Sequence, residues 1–270
     1  MPLAVCATPI GNLADVTLRV LDELAAADTV LCEDTRHTRI LLTRHGIEAR
    51  LLSYHQHNEA ARIADVVPRL VAGERMALVS DAGLPAVNDP GARLVVAAIA
   101  AGVPVTVLPG ASAVETALVA SGLAGERYRF VGYLPRKAKE RTTFWQEVVS
   151  GSDPVVAFES PRRVGASLAS LAALAPDRPV AVCRELTKVY EEVMRGTAAE
   201  LAGRLSDAPR GEITLVIGGR TESSPAPDAA DAGVAAVAEL VAAGTPRRVA
   251  ADVVARIAGL SRKELYRSSL

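Results

Sequence analysis

Over the first 122 residues, short apolar runs alternate with longer segments whose apolar positions return every three or four residues. The runs at 3–7, 29–32, 50–53, 76–79 and 105–108 predict buried strands. The longer segments at 18–26, 35–45, 58–72, 92–101 and 113–121 predict amphipathic helices. Thr17 or Asp15 suits the start of the first, Asn58 caps the third, and Gly122 stops the fifth. Strand alternating with helix predicts a sheet with parallel pairs and helices on its faces. A second array begins near Arg127, with strands at 128–131, 154–158, 179–182 and 212–217 and helices at 140–149, 162–173 and 198–205. The stretch Leu123-Ala124-Gly125-Glu126 divides them, so the expected organisation is an α/β domain over 1–122 and another over 123–218. Ser, Pro, Ala and Asp crowd the next segment, which reads as a linker over 219–233. A small helical tail follows over 234–270, with Pro246 at a helix start, Gly259 at its end, and a capping-box pattern at Ser261 and Glu264.

Three connections are more heavily punctuated than plain joints need to be. The segment 79–91 (VSDAGLPAVNDPG) lies between a strand and a helix and holds two Gly, two Pro, two Asp and an Asn. Glycine admits close ligand approach, proline fixes the path, and the polar groups organise turns. The segments 8–17 (TPIGNLADVT) and 109–113 (PGASA) occupy equivalent positions after other strands. In open α/β sheets such loops meet at the carboxyl ends of strands and line one pocket. None carries GxGxxG or GxxxxGK[ST], so the ligand they suit has no phosphate to cradle.

Composition narrows the picture. Half of the 270 residues are apolar, only 3% are aromatic, and the net charge is −1. The whole molecule does not attract polyanions, and any nucleic-acid contact rests on local basic patches. One is the tail, where residues 244–270 carry six basic against two acidic side chains, a local charge of +4. Another is Arg136, Lys137, Lys139 and Arg141, beside Tyr133 and Trp145. A solvated face is the plainer explanation of each. The few stacking platforms are Tyr54, Tyr133, Phe144 and Trp145. Three separated cysteines without CxxC spacing give neither a disulfide framework nor a zinc site and suit reduced cytoplasmic thiols. The uncharged stretch 94–114 has the length of a membrane span, but Gly102, Pro104, Pro109 and Gly110 break it into helix, turn, strand and loop, so no membrane segment is expected.

Two further segments hold candidate chemistry. CEDTRHTR at 32–39 packs acid, hydroxyl and base onto a strand end and helix start, where Asp34 is also a natural helix cap. SYHQHNE at 53–59 carries two of the four histidines, with no partner cluster to complete a metal site.

In order, TPIGNL at 8–13, the acidic segment at 32–36, the His/Asn segment at 53–59, the loop at 80–91 and PGASAVETALVASG at 109–122 closely resemble the tetrapyrrole methylase superfamily. LPRK at 134–137, ESPRR at 159–163, RELTK at 184–188 and GEITLVI at 211–217 complete the set, which is most similar to the superfamily branch that methylates ribosomal RNA of the small subunit. The resemblance implies two α/β domains with a cleft between them, and S-adenosylmethionine held in that cleft. It implies methyl transfer to the 2′-hydroxyl of a cytidine in the decoding region of 16S rRNA, within the small ribosomal subunit or free of it, by a cytoplasmic homodimer. It places cofactor contacts near Pro9, Ile10, Asp81, Gly83, Leu84, Ser112 and Ala113, and more loosely at Phe158, Leu186 and Thr214. A ribose hydroxyl is a poor acid, so a base helps; Asp34, His55 and Lys188 are the candidates, with Arg36, Asn58 and Arg136 as RNA-orienting groups. No metal is expected. Two other functions stay open: methylation of a tetrapyrrole, and non-catalytic, cofactor-sensing RNA binding.

Overall fold

The computed structural model describes residues 2–205, 207–219 and 229–269. The chain divides into two compact units, Met1–Gly219 and Arg220–Leu270. The first contains two five-stranded sheets.

Strands β1 (Leu3–Cys6), β2 (Thr29–Cys32), β3 (Leu51–Ser53), β4 (Met76–Val79) and β5 (Val105–Leu108) form the first sheet in the order β3-β2-β4-β1-β5. Every pair in it is parallel. Each strand is followed by a helix, the crossover that parallel pairing demands. These are α1 (Leu18–Ala26), α2 (Thr35–Arg44), α3 (Glu59–Val71), α4 (Ala92–Ala100) and α5 (Ala113–Ser121). β1, β2 and β4 are buried along their whole length, which is why they read as unbroken apolar runs. Thr17 caps α1 by accepting from the Val20 N–H. Asn58 precedes α3 but does not cap it; its side chain accepts from the His55 N–H at 2.9 Å and donates to the Ser53 carbonyl at 3.2 Å.

The second sheet runs β6-β7-β10-β8-β9, from β6 (Arg129–Tyr133), β7 (Val155–Glu159), β8 (Pro179–Arg184), β9 (Glu192–Thr197) and β10 (Ile213–Ile217). Only β6 and β7 are parallel; β7–β10, β10–β8 and β8–β9 are antiparallel. Helices α6 (Ala138–Ser150), α7 (Val164–Ala172) and α8 (Ala198–Arg204) belong to this half. One face of the sheet carries a core of Trp145, Leu168, Leu171, Leu201 and Leu215. The other packs Val156, Ala181, Cys183 and Val216 against Val114, Ala117 and Leu118 of α5. The last helix of the first half therefore fills the second sheet's open face and joins the halves.

Two differences from the sequence expectations stand out. β9 was not expected. The pattern EVMRGT carries charge at an edge that β8 alone pairs, where exposed polar side chains hide the strand period. The predicted linker falls mostly on 220–228, outside the described residues, but its last part is helical, because α9 (Ala229–Ala242) begins there. The tail is three helices, with α10 (Arg247–Ala258) ending at left-handed Gly259 and α11 (Arg262–Ser268) capped by Ser261. Val237, Ala250, Ala251 and Leu265 form its core. Among the described residues no helix is long and apolar enough to cross a membrane.

Candidate active site

Three neighbouring strands, β4, β1 and β5, deliver the three punctuated loops to one edge of the first sheet. The β1 and β4 loops are fastened together. The Thr8 N–H donates to the Gly83 carbonyl at 2.8 Å, the Gly83 N–H returns a bond to Thr8 at 3.0 Å, and the Thr8 hydroxyl donates to the Ser80 carbonyl at 3.0 Å. The β4 loop is wound tightly: Ala86, Asn88 and Gly91 have φ of 70°, 66° and 130°. Side chains at positive φ persist only where their surroundings over-determine them, and such positions cluster at binding sites. Buried Glu59 closes the far end by accepting from the Gly91 N–H at 3.2 Å and the Tyr54 hydroxyl at 2.9 Å.

The β1 loop also reaches the second sheet, where the Asn12 N–H donates to Thr187 Oγ1 at 3.0 Å. A Cβ at Gly11 would stand 2.8 Å from that same oxygen and against the Lys188 side chain, so only glycine allows the approach.

Between these loops and the second sheet lies a cavity of about 930 Å³. Phe130 and Tyr133 of β6, Phe158 of β7 and Thr214 of β10 form its other wall. The Phe130 and Phe158 rings meet edge to face at 5.0 Å, and Phe158 and Tyr133 at 5.6 Å. Tyr133 is 62% exposed. A break in register between Phe130 and Tyr133, with Gly132 at φ 65°, re-aims that end of β6. A Cβ on Gly132 would meet Asn88 Oδ1 at 2.7 Å, so the β4 loop abuts the irregular end of β6.

Of the ten residues expected to contact the cofactor, Ile10, Asp81, Gly83, Leu84, Ser112 and Ala113 line this cavity from the first half. Phe158, Leu186 and Thr214 line it from the second. Pro9 is buried and does not reach the surface of the cavity. Ser112 precedes α5 without capping its backbone; its hydroxyl donates to Glu115 instead.

The cavity is acidic. Asp81, Asp89, Glu115, Glu159 and Glu212 line it, and among the described residues its lining includes no Lys, Arg or His. Most of these carboxylates are engaged. Glu159 is buried against Arg163 and accepts from the Ser160 N–H at 2.6 Å and the Ser167 hydroxyl at 2.5 Å. Glu115 accepts from Tyr128 at 2.7 Å, and Glu212 faces Lys188 at 2.9 Å. Asp81 accepts from the Asp34 N–H at 3.1 Å. Asp89 differs: burial, then the nearby Glu33 charge, with a further push from Asp81, raises its carboxyl to about 6 against the opposing Ser80 hydroxyl. Glu33 is raised as well, by burial and by Asp81, while His55 draws it back. The Cys183 thiol also faces the cavity, but burial pushes it up to about 11, so it stays protonated.

None of the three candidate bases lines the cavity. Asp34 caps α2 through the Arg36 N–H at 2.8 Å and grips the Arg36 guanidinium at 2.7 and 3.1 Å, which holds its carboxyl well below the usual range. Lys188 bridges Glu185 and Glu212, each at 2.9 Å; burial works against its charge, yet the two carboxylates prevail and hold the ammonium above its ordinary value. His55 sits in a turn held by Asn58, 3.2 Å from its Nε2. Asn58 is thus committed to the turn, while the Arg36 side chain is 88% exposed and Arg136 is exposed before α6. Two of the expected stacking platforms are core residues, Tyr54 at 1% exposure and Trp145 at 0%, and Phe144 packs half-buried beside Trp145. Only Tyr133 of the four is open. Asp89 and Phe130 were not singled out in the sequence, although the richness of the β4 loop in acids was a usable signal for the first.

The chain matches the family model of the tetrapyrrole (corrin/porphyrin) methylases over residues 2–202. It is 45% identical to the ribosomal RNA small subunit methyltransferase I of Micromonospora olivasterospora, over 96% of this chain and 83% of that one. The protein of that name from Mesorhizobium japonicum is 43% identical over 99% and 91%. Among solved structures, uroporphyrin-III-C-methyltransferase from Thermus thermophilus superposes with a TM-score of 0.58 at 22% identity, covering 80% of this chain and 93% of its own. A conserved hypothetical protein from Aeropyrum pernix K1 gives 0.62 at 18% identity, covering 99% and 94%.

Proposed function

This chain belongs to the tetrapyrrole methylase family, and we propose that it methylates 16S rRNA with S-adenosylmethionine, at the 2′-hydroxyl of a cytidine ribose in the decoding region. The observation that carries the reading is the cavity: small-residue loops, an aromatic wall and five carboxylates without a lining cation. Such a lining repels phosphate and favours a ligand that is positively charged and phosphate-free. S-adenosylmethionine has that chemistry, and when bound it supplies an electrophilic methyl group on a positively charged sulfur. The residues that fit it are Asp81, Gly83 and Leu84 of the β4 loop, Ile10 of the β1 loop, and Ser112 and Ala113 at the start of α5. Phe158, Leu186 and Thr214 face them. Holding the reacting partners in line supplies several kcal/mol of such a barrier, up to about 7–11 in favourable cases.

RNA is a polyanion, so its backbone belongs on cations outside the acidic lining. Arg36, Arg136, Lys137 and Lys139 are exposed and suited to phosphate contact, and Tyr133 to stacking. The names of the relatives at 43–45% identity support ribosomal RNA as the acceptor over a tetrapyrrole. The same reading makes the protein a cytoplasmic homodimer that acts on 16S rRNA or on the small ribosomal subunit. Sedimentation at twice the chain mass checks the pairing.

Incubation with methyl-labelled cofactor and small subunits lacking the modification tests the function. Label recovered in 2′-O-methylcytidine after digestion is the expected result. Label in a porphyrinoid moves the function to a tetrapyrrole. Cofactor binding with no transfer leaves a sensor.

A further inference from the structure

We infer that Asp89 is the general base of this reaction, taking the proton of the acceptor hydroxyl onto a carboxylate oxygen. The inference rests on the methyl-transfer reading above and deepens it.

Position comes first. Asp89 lines the cavity in the β4 loop, directly after left-handed Asn88, whose side chain lies against Gly132 where β6 loses its register. Tyr133, the residue after Gly132, is the exposed ring of the aromatic wall. The contact between Asn88 and Gly132 therefore brings a carboxylate and an open aromatic face to the same end of the cavity. Those are the two groups needed at an acceptor nucleotide, one for its sugar hydroxyl and one for its base. The loop is held in this winding at both ends, by the Thr8–Gly83 bridge and by Glu59 on the Gly91 N–H.

Availability comes second. The other acids of the lining, and Asp34, are each held by a donor, while Glu33 lies outside the lining. Asp34 is locked to Arg36, Glu159 to Arg163 and Glu212 to Lys188, while Glu115 serves Tyr128 and Ser112, and Asp81 the Asp34 backbone. Among the described residues, Asp89 has no ion-pair partner. The charged groups that bear on it are Glu33 at the end of β2 and Asp81 in its own loop; both are acidic and both favour protonation. His55 bears on Glu33 instead. A carboxyl brought to about 6 is a far better proton acceptor than an ordinary aspartate, and it is still mostly ionised at neutral pH. Lys188, held protonated by two carboxylates, has no lone pair to offer.

The step balances. The hydroxyl proton passes to Asp89 as the oxygen bonds to the methyl carbon. The carbon–sulfur bond breaks, its electron pair stays on sulfur, and the sulfonium becomes a neutral thioether.

Three measurements on the full chain test this: single-turnover transfer to unmethylated small subunits from pH 5 to 8, calorimetric binding of S-adenosylmethionine, and the same pair for Asp89→Asn and Asp89→Glu. The wild-type rate should rise about tenfold per pH unit below about 6 and level above it. Asp89→Asn should transfer about 100- to 1000-fold more slowly, without that rise, while binding the cofactor within about threefold of wild type. Asp89→Glu should regain part of the rate and an acid limb. Asp89→Asn within threefold of the wild-type rate, or with the limb intact, overturns the inference. So does loss of cofactor affinity in Asp89→Asn, which would assign the carboxylate to the donor. A wild type that binds cofactor but never transfers to RNA removes the functional reading, and the inference with it. An active wild type matched by an active Asp89→Asn removes the inference alone.

Discussion

The two walls of the cavity are built in different ways. The first half contributes loops that leave the carboxyl ends of parallel strands; the second contributes the strands themselves, through Phe130, Tyr133, Phe158 and Thr214. On the loop side, ligand-facing groups depend on backbone winding and on a few hydrogen bonds between loops. On the sheet side, the strand itself divides its residues between cavity and core: Thr214 lines the cavity while the next residue, Leu215, belongs to the core under α6–α8. A change on the loop wall should therefore act mainly on binding, and a change on the sheet wall mainly on stability.

The largest effect is expected at Glu159→Ala. Its buried carboxylate holds Arg163, Ser167 and the Ser160 N–H together at the end of β7, and its removal leaves a guanidinium without its partner. Loss of about 3–5 kcal/mol in denaturant unfolding is expected. A variant that folds as tightly as wild type yet binds cofactor poorly would break the distinction between the walls. Asp81→Ala is the counterpart on the loop wall. It deletes a cavity carboxylate and the acceptor of the Asp34 N–H. Cofactor affinity should fall by about 1.5–3 kcal/mol, roughly 10- to 150-fold, with a smaller change in RNA affinity and a cooperative melt retained. Unchanged calorimetric affinity would remove the β4 loop from the cofactor site.

The same contrast explains what could be read in the sequence. The loop wall was legible, because Gly, Pro, Asp and Asn at strand ends leave a local signature and parallel strands leave apolar runs. The sheet wall was legible only through the resemblance, which pointed to Phe158 and Thr214; nothing local marks β10 as inserted between β7 and β8, or β9 as an edge strand beneath Glu192 and Arg195. Burial by distant partners is equally invisible locally: Trp145 and Tyr54 read in the sequence as platforms for bases, yet they pack inside, Tyr54 with its hydroxyl on Glu59. Asp34 was visible as an acid, but its guanidinium clamp is a matter of geometry at the start of α2. Asp89 owes its proton affinity first to burial and then to Glu33, far away in sequence on another strand end, so no motif reveals it.

Tyr133 sharpens the comparison, since it lies on the sheet wall but is exposed. Tyr133→Ala should raise the KM for RNA about tenfold, in keeping with about 1–3 kcal/mol for a stacked base, and leave cofactor affinity and stability nearly unchanged. Tyr133→Phe should behave as wild type. A Tyr133→Ala variant that loses cofactor instead would put the ring at the donor end.

The smallest effect is expected in stability at Asp89, and its sign is informative. The carboxyl is raised from an ordinary 3.8 to about 6, so between those values the folded protein binds more protons than the unfolded chain. Stability contributed by this group is therefore present below about pH 4, is lost as pH rises toward 6, and stays lost above. Ionising it beside Glu33 and Asp81 works against the fold. Because the side chain is partly solvated, the penalty at pH 7 is of order 1 kcal/mol, well short of the full linkage value. Asp89→Asn removes it, so the variant should melt about 3 °C higher than wild type at pH 7 and coincide with it near pH 4. A group that serves as base near neutral pH has to be an uncomfortable anion in the resting fold, and replacing it should exchange activity for stability. Equal melting temperatures across that range would mean that Asp89 is ionised at no cost, leaving it an ordinary, weakly basic aspartate.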